Sequence, residues 1–165
     1  MLLGEWACLG LLCEAPAHGF AVAARLKPEG DIGRVWELSR ALTYRALAQL
    51  SSAGLVEDVA TERGLAGGNR TVLRPTRRGR TAFMAWLAEP VPHLRDLRSE
   101  LLLKLVLAEH LQVDMTGMLR RQRDLVSEAV DRLAKQLAAL PDDMITRWRW
   151  ENAKAALAFL EHLNR

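Results

Sequence analysis

Apolar positions are not spread evenly along this chain, and their spacing changes several times. Residues 2–13, LLGEWACLGLLC, are apolar on almost every side, which predicts a helix buried on more than one face. The turn-forming run EAPAHG follows, and FAVAARL (20–26) predicts a second helix, ended by Pro28, Gly30 and Gly33. A third helix is predicted from about Arg40 to Ala53, with Leu47 and Leu50 on one edge. Ser39 is placed to accept a backbone N–H at its start, and Gly54 suits the left-handed residue past its end. The period then shortens to that of strands in LVEDVAT (55–61) and RTVLR (70–74), joined by the Gly-rich hairpin tip GLAGGN. Thr76 is placed to cap a fourth helix, RRGRTAFMAWLA.

Three helices, a strand, a hairpin tip, a strand and a helix make the order of a winged helix-turn-helix, whose third helix enters the major groove. The two prolines of EPVPHL (89–94) mark a boundary, and everything beyond them reads as helix. LRSELLLKLVLAEHL is apolar over most of its circumference. Leu119, Val126, Leu133 and Leu140 then recur every seven residues, with Arg123, Val130 and Leu137 in the partner position. That pattern is an imperfect coiled-coil seam of about three heptads, stopped by Pro141. A last helix from about Met144 to Leu163 carries Trp148 and Trp150. The expected fold is mostly α with a small two-stranded β wing. A winged helix-turn-helix DNA-binding domain is expected over residues 1–89 and a helical dimerisation domain over residues 90–165.

Composition adds little until its distribution is considered. The chain has 165 residues, 50% apolar and 26% charged, normal for a folded globular protein. Its net charge is only +3, yet the stretch from Arg34 to Arg80 holds nine arginines (34, 40, 45, 63, 70, 74, 77, 78 and 80) against four acids (37, 57, 58 and 62), a local balance of +5. Such a patch suits an anionic partner; a merely solvated face would account for it too. Cys8 and Cys13 lie five apart in an apolar helix and face different sides, so they read as buried small hydrophobes. The first thirteen residues lack a basic leader and are interrupted by Glu5, unlike a signal peptide. No apolar run approaches the ~20 residues needed to span a bilayer. The expectation is a cytoplasmic protein without membrane partners.

Steps of 100° per residue from Leu47 and Leu50 place Ala41, Arg45, Ala48, Gln49 and Ser52 on the opposite side of the third helix. Two alanines there allow close approach to a groove. Arg45 can hydrogen-bond a guanine edge twice, and Gln49 an adenine edge. Arg40 and the first-turn amides suit phosphate. Tyr44 lies at the flank, able to meet phosphate or pack against the wing. Arg63 and Arg70 flank the hairpin tip and are candidates for phosphate or minor-groove contact. Arg77, Arg78 and Arg80 stand in the first turn of the fourth helix, where they oppose the helix dipole. An outside anion would relieve that arrangement, and so would simple solvation.

Several segments together resemble the PadR family of winged-helix transcription regulators. LGLLCEAPAHGFAVAARL is similar to the family's first two helices with their His-Gly turn. WELSRALTYRALAQLSSAGLV is similar to its recognition region, with Trp36, Ser39, Tyr44, Leu47, Leu50 and Gly54 in matching places. NRTVLRPTRRGR matches the wing and exit at Arg70, Thr76 and Gly79, and WLAEPVPHLRDLRSELLLKLVLA resembles the start of the dimerisation region. Ala41-Leu42-Thr43-Tyr44 stands where the family usually has Gly-Thr-Leu-Tyr, so a threonine points inward and Leu42 brings no hydroxyl to the DNA side. Leu73 and Pro75 stand where Tyr and Leu are common.

The resemblance implies a homodimeric regulator of double-stranded DNA, a repressor of a palindromic operator released by a small apolar or aromatic effector. The expected DNA contacts are Ser39, Arg40, Leu42, Tyr44, Arg45, Gln49, Arg63 and Arg70. Trp6, Trp148 and Trp150 are the candidates for an effector or dimer interface, while Trp36 and Trp86 fall at helix boundaries and read as core. A MarR-type winged helix and a winged helix that binds protein rather than DNA are the alternatives. No cofactor, metal site or catalytic residue is expected. His18, His93, His110 and His162 have no Cys or carboxylate at ligand or triad spacing. Asp142-Asp143 sits where a helix N-terminus favours negative charge.

Overall fold

The computed structural model describes residues 1–63 and 69–163, with side chains at all of these except 62, 63 and 69. The elements run α1 (Leu3–Glu14), β1 (Ala17–His18), α2 (Gly19–Arg25), α3 (Arg40–Ser52), β2 (Val56–Arg63), β3 (Asn69–Pro75), α4 (Arg77–Ala88), a 3-10 turn (Leu94–Asp96), a π-helical turn (Leu97–Leu101), α5 (Leu102–Leu111), α6 (Thr116–Ala139) and α7 (Met144–Leu163). The chain gathers into two units, residues 1–87 with 102–113 and residues 88–101 with 114–165. Of the hairpin tip expected at GLAGGN (64–69), residues 64–68 lie outside the described residues.

α1 is the centre of the first unit. Every residue from Ala7 to Cys13 is buried, as its all-round apolar surface requires. α3, α5 and β3 pack on it. Arg25 ties the periphery of this unit together, meeting Glu14 at the end of α1, Asp31 in the following turn and His110 near the end of α5. Lys104 interrupts the apolar run of α5, yet it is buried, with its ammonium 4.9 Å from the centroid of Trp86.

The sheet has three strands, not two, in the order β1-β3-β2. β1 adds only Ala17 opposite Leu73 and His18 opposite Val72. Two residues carry no detectable alternation, so a strand this short leaves no mark in the sequence. It nevertheless fixes the entry to α2, where His18 Nδ1 accepts the Ala21 N–H at 3.0 Å. β2 and β3 are antiparallel, with an irregularity at Val59 that sets Asp58 against Leu73 and Ala60 against Val72.

The second unit is built on an α6/α7 hairpin. Leu119, Val126, Leu133 and Leu137 are buried, as expected, but the alternate seats are Gln122 and Ala129 rather than Arg123 and Val130. A seam can step three residues or four; here it steps three after Leu119 and Val126 and four after Leu133. Leu140 lies past the end of α6 and is 65% exposed. α7 answers with Thr146, Ala153 and Leu160 at heptad spacing. Asp143 accepts N–H groups of Ile145 and Thr146 and the Thr146 hydroxyl, so it caps α7 in keeping with its place at the helix start. The Gln122 amide reaches the segment between the two prolines: it accepts the Val91 N–H at 2.6 Å and donates to the Val91 carbonyl at 3.0 Å.

Candidate nucleic-acid interface

α3 is defined by its two ends. The Ser39 hydroxyl accepts the Leu42 N–H at 3.3 Å. At the other end Gly54 has φ +65°, and the Leu55 N–H returns to the Leu50 carbonyl at 2.9 Å. This is the left-handed termination that favours glycine. Between these ends Thr43, Ala46, Leu47 and Leu50 are buried. The inward Thr43 is satisfied locally, since its hydroxyl donates to the Ser39 carbonyl at 3.0 Å. That bond lets a threonine occupy an apolar seat without an unpaired polar atom.

The opposite face of α3 is open to solvent. Ala41, Leu42, Tyr44, Arg45, Ala48, Gln49 and Ser52 are all exposed. No acidic residue lies on this helix, and no carboxylate among the described side chains pairs with Arg40, Arg45 or Arg70. Tyr44 packs against the start of α2: a Cβ on Gly19 would lie 2.9 Å from its ring, so glycine is required there for the close approach. The Arg40 guanidinium lies over the Tyr44 ring at 5.7 Å and over Phe20 at 5.6 Å, and Arg70 from the wing lies over the same Phe20 at 5.7 Å. Ser39, Arg40, Leu42, Tyr44, Arg45 and Gln49 thus share one surface, and Arg70 meets it through Phe20. The Arg63 side chain lies outside the described residues.

The remaining arginines of the basic stretch divide by role. Arg74 pairs with Glu57 across the wing at 2.8 Å. Arg78 donates to the Ala53 carbonyl at the end of α3, and Arg80 donates to the Cys13 carbonyl in α1 at 3.1 Å. Both cations therefore satisfy helix C-terminal carbonyls, where positive charge is favourable. These contacts account for Arg78 and Arg80 without an outside anion.

The tryptophan candidates also separate. Trp6 stacks on Trp86 with ring centroids 5.0 Å apart and planes within 7°, and Phe83 tilts against Trp86 at 5.7 Å. Trp86 is buried, as expected of core, whereas Trp36 is half-buried and lies outside any helix. Trp148 is 70% exposed and shares an open stripe with Ile145, Ala155 and Phe159. Trp150 is half-buried beneath the Lys154 ammonium, 3.7 Å from its ring centroid. The α6/α7 hairpin also holds an open cavity of about 430 Å³ lined by Arg123, Asp124, Ser127, Leu157 and Glu161, a charged lining poorly matched to an apolar ligand. Among the described residues no group of His, Cys, Asp or Glu is arranged to hold a metal ion, and no helix is long and apolar enough to cross a membrane.

No family model and no curated protein matches this chain. Solved structures do. Bacillus subtilis PadR in complex with operator DNA superposes with a TM-score of 0.50 at 16% identity, covering 98% of this chain and 97% of that one. The Vibrio cholerae virulence activator AphA gives 0.44 at 21% identity, covering 99% and 92%. The PadR-like transcriptional regulator BC1756 from Bacillus cereus gives 0.44 at 16%, covering 96% and 98%. The likeness to PadR over nearly both full lengths establishes the fold: mostly helical, a winged helix-turn-helix with helices appended.

Proposed function

We propose that this chain is a PadR-type transcription regulator that binds double-stranded DNA as a homodimer. The observation that carries the reading is the open face of α3. It is free of acids, lined by small residues, and bears Arg45 and Gln49 where base edges would lie, with Arg40 and Arg70 beside them. Small residues let the helix approach a groove floor, while the arginines and glutamine supply directional donors. Ser39, Leu42 and Tyr44 complete the surface on this reading, and Arg63 is a further proposed DNA contact.

Residues 1–89 act as the DNA reader and residues 90–165 as the dimerisation and coupling region. The exposed apolar stripe of α7 supports a second copy as its cover, because Ile145, Trp148, Ala155 and Phe159 recur at the spacing of a helix–helix seam. A two-fold dimer reads a palindromic operator, with half-site spacing set by the separation of its two α3 helices. On this reading the protein is a repressor, and a small apolar or aromatic effector releases it by favouring the form that cannot bind DNA. Trp148 and Trp150 are the residues through which such coupling would act, and Trp6 is the corresponding aromatic of the winged unit.

Selection of bound duplexes from a random pool by the full-length protein tests the reading. An enriched two-fold motif bound with steep salt dependence is the expected result. Absence of enrichment together with salt-insensitive or undetectable duplex binding would overturn it.

A further inference from the structure

Phe20 is a large apolar side chain left 47% exposed, directly after the Gly19 that Tyr44 packs on. Three elements meet at its ring. The ladder between β1 and β3 sets His18 opposite Val72. Arg40 comes from the first turn of α3, held by the Ser39 cap, and also lies over Tyr44 one turn further along. Arg40 and Arg70 both place their guanidiniums over Phe20, at 5.6 and 5.7 Å. His18 tilts against the ring at 6.2 Å. Glu62 is the register partner of Arg70 in the β2/β3 ladder.

We propose that Phe20 is a positioning residue of the DNA interface, seating Arg40 of the recognition helix and Arg70 of the wing as one clamp for the phosphates of duplex DNA. The proposal rests on the DNA-binding reading above. Its chemistry follows from what an aromatic seat does that a carboxylate seat does not. A guanidinium over a ring face is attracted by the ring quadrupole, while its charge stays uncompensated and its N–H donors point outward in the guanidinium plane. A carboxylate would hold the same arginine equally well but take those donors and cancel the charge. Two like charges drawn to one exposed ring repel each other, and a phosphate oxygen between them relieves that repulsion. The seat also restricts two long side chains before the nucleic acid arrives, lowering the entropy lost on contact.

The test uses the full-length protein and a labelled duplex of arbitrary sequence, because phosphate contacts carry no sequence information. Affinity is read by fluorescence anisotropy over a series of salt concentrations. Phe20→Ala is expected to weaken binding about five- to thirtyfold, from two exposed cation–π contacts. It should flatten the dependence of log affinity on log salt by about one to two units, as phosphate contacts are lost. Phe20→Tyr and Phe20→Trp should keep wild-type behaviour, and Phe20→Leu should resemble Phe20→Ala despite its apolar bulk. In an Arg40→Ala/Arg70→Ala background, Phe20→Ala should add nothing. Thermal unfolding close to wild type in all variants is expected for an exposed ring and separates loss of binding from loss of fold. Wild-type affinity and slope in Phe20→Leu, or a further loss in the double-arginine background, would overturn the role given to Phe20 and leave the DNA-binding reading standing. A wild-type protein that binds no duplex would overturn both.

Discussion

Replacing Trp148 by alanine is expected to weaken the proposed homodimer without weakening the protomer. The indole is 70% exposed in the single chain, so its removal opens no cavity in the α6/α7 hairpin. A large aromatic side chain buries roughly 150–250 Å² when fully covered, so on the order of 100–175 Å² of Trp148 is available to a partner. At about 25 cal/mol per Å² this surface is worth roughly 2.5–4 kcal/mol per copy. An isologous interface contains it twice. Incomplete cover and the methyl retained in alanine reduce that figure, and a loss of about 3 kcal/mol is a conservative expectation. It corresponds to a rise of roughly a hundredfold in the dimer dissociation constant. Sedimentation velocity over a dilution series from micromolar to nanomolar protein measures the constant directly. Operator affinity should fall in parallel, because one reading head alone meets one half-site. A Trp148→Ala protein with an unchanged dimer constant would refute the assignment of the α7 stripe to a second copy. An unchanged dimer with altered operator affinity would move Trp148 from the interface to the coupling between dimer and DNA.

Other expectations follow from single contacts. Arg45→Ala should cost roughly 1–3 kcal/mol on a selected site and relax one position of its sequence preference, whereas Arg70→Ala should weaken all duplexes alike and flatten the salt slope by about one unit; competition binding against point-varied sites separates the two. Gln122→Ala removes both partners of the Val91 backbone and leaves a buried N–H and carbonyl unpaired, so urea unfolding should reveal a loss of about 2–4 kcal/mol; an unchanged midpoint would mean the Val91 segment is not held by this side chain. Burial pushes the Cys8 thiol up to about 12 and the Cys13 thiol up to about 11. The thiolate fraction at pH 8 is therefore about one in a thousand or less, and labelling by a thiol reagent should proceed only as fast as unfolding. Because these pKa values are raised in the folded state, the stability they contribute is complete below the unfolded thiol's pKa near ~8.5 and is lost as pH rises through 11 and 12. Labelling of the native protein within seconds at pH 8 would contradict their burial.

Signals that depend on consecutive residues are legible in the sequence itself. Ser39 and Gly54 mark the ends of α3 because a cap and a left-handed residue are properties of one backbone turn. The 100° step then assigns its faces, including the inward Thr43 and the open Arg45 and Gln49. The heptad spacing likewise locates α6 and its seats at Leu119, Val126 and Leu133. Periodicity states which side of a helix is apolar, but not which neighbour covers it. Hence the alternate seam at Gln122 and Ala129 is not legible there, since a glutamine becomes a core residue only where a distant backbone needs both its donor and its acceptor. The same limit hides the two-residue strand at Ala17–His18 and the burial of Lys104 over Trp86.

The arginines show the division most plainly. Sequence alone counts nine cations between Arg34 and Arg80 and locates the basic patch. Only the tertiary structure sorts them. Arg78 and Arg80 are drawn to the carbonyl ends of helices, Arg74 to a cross-strand carboxylate, and Arg40 and Arg70 to an aromatic ring. A charge is written in the residue itself. Whether it is neutralised or left available depends on partners many positions away, which chain folding alone brings within hydrogen-bonding distance.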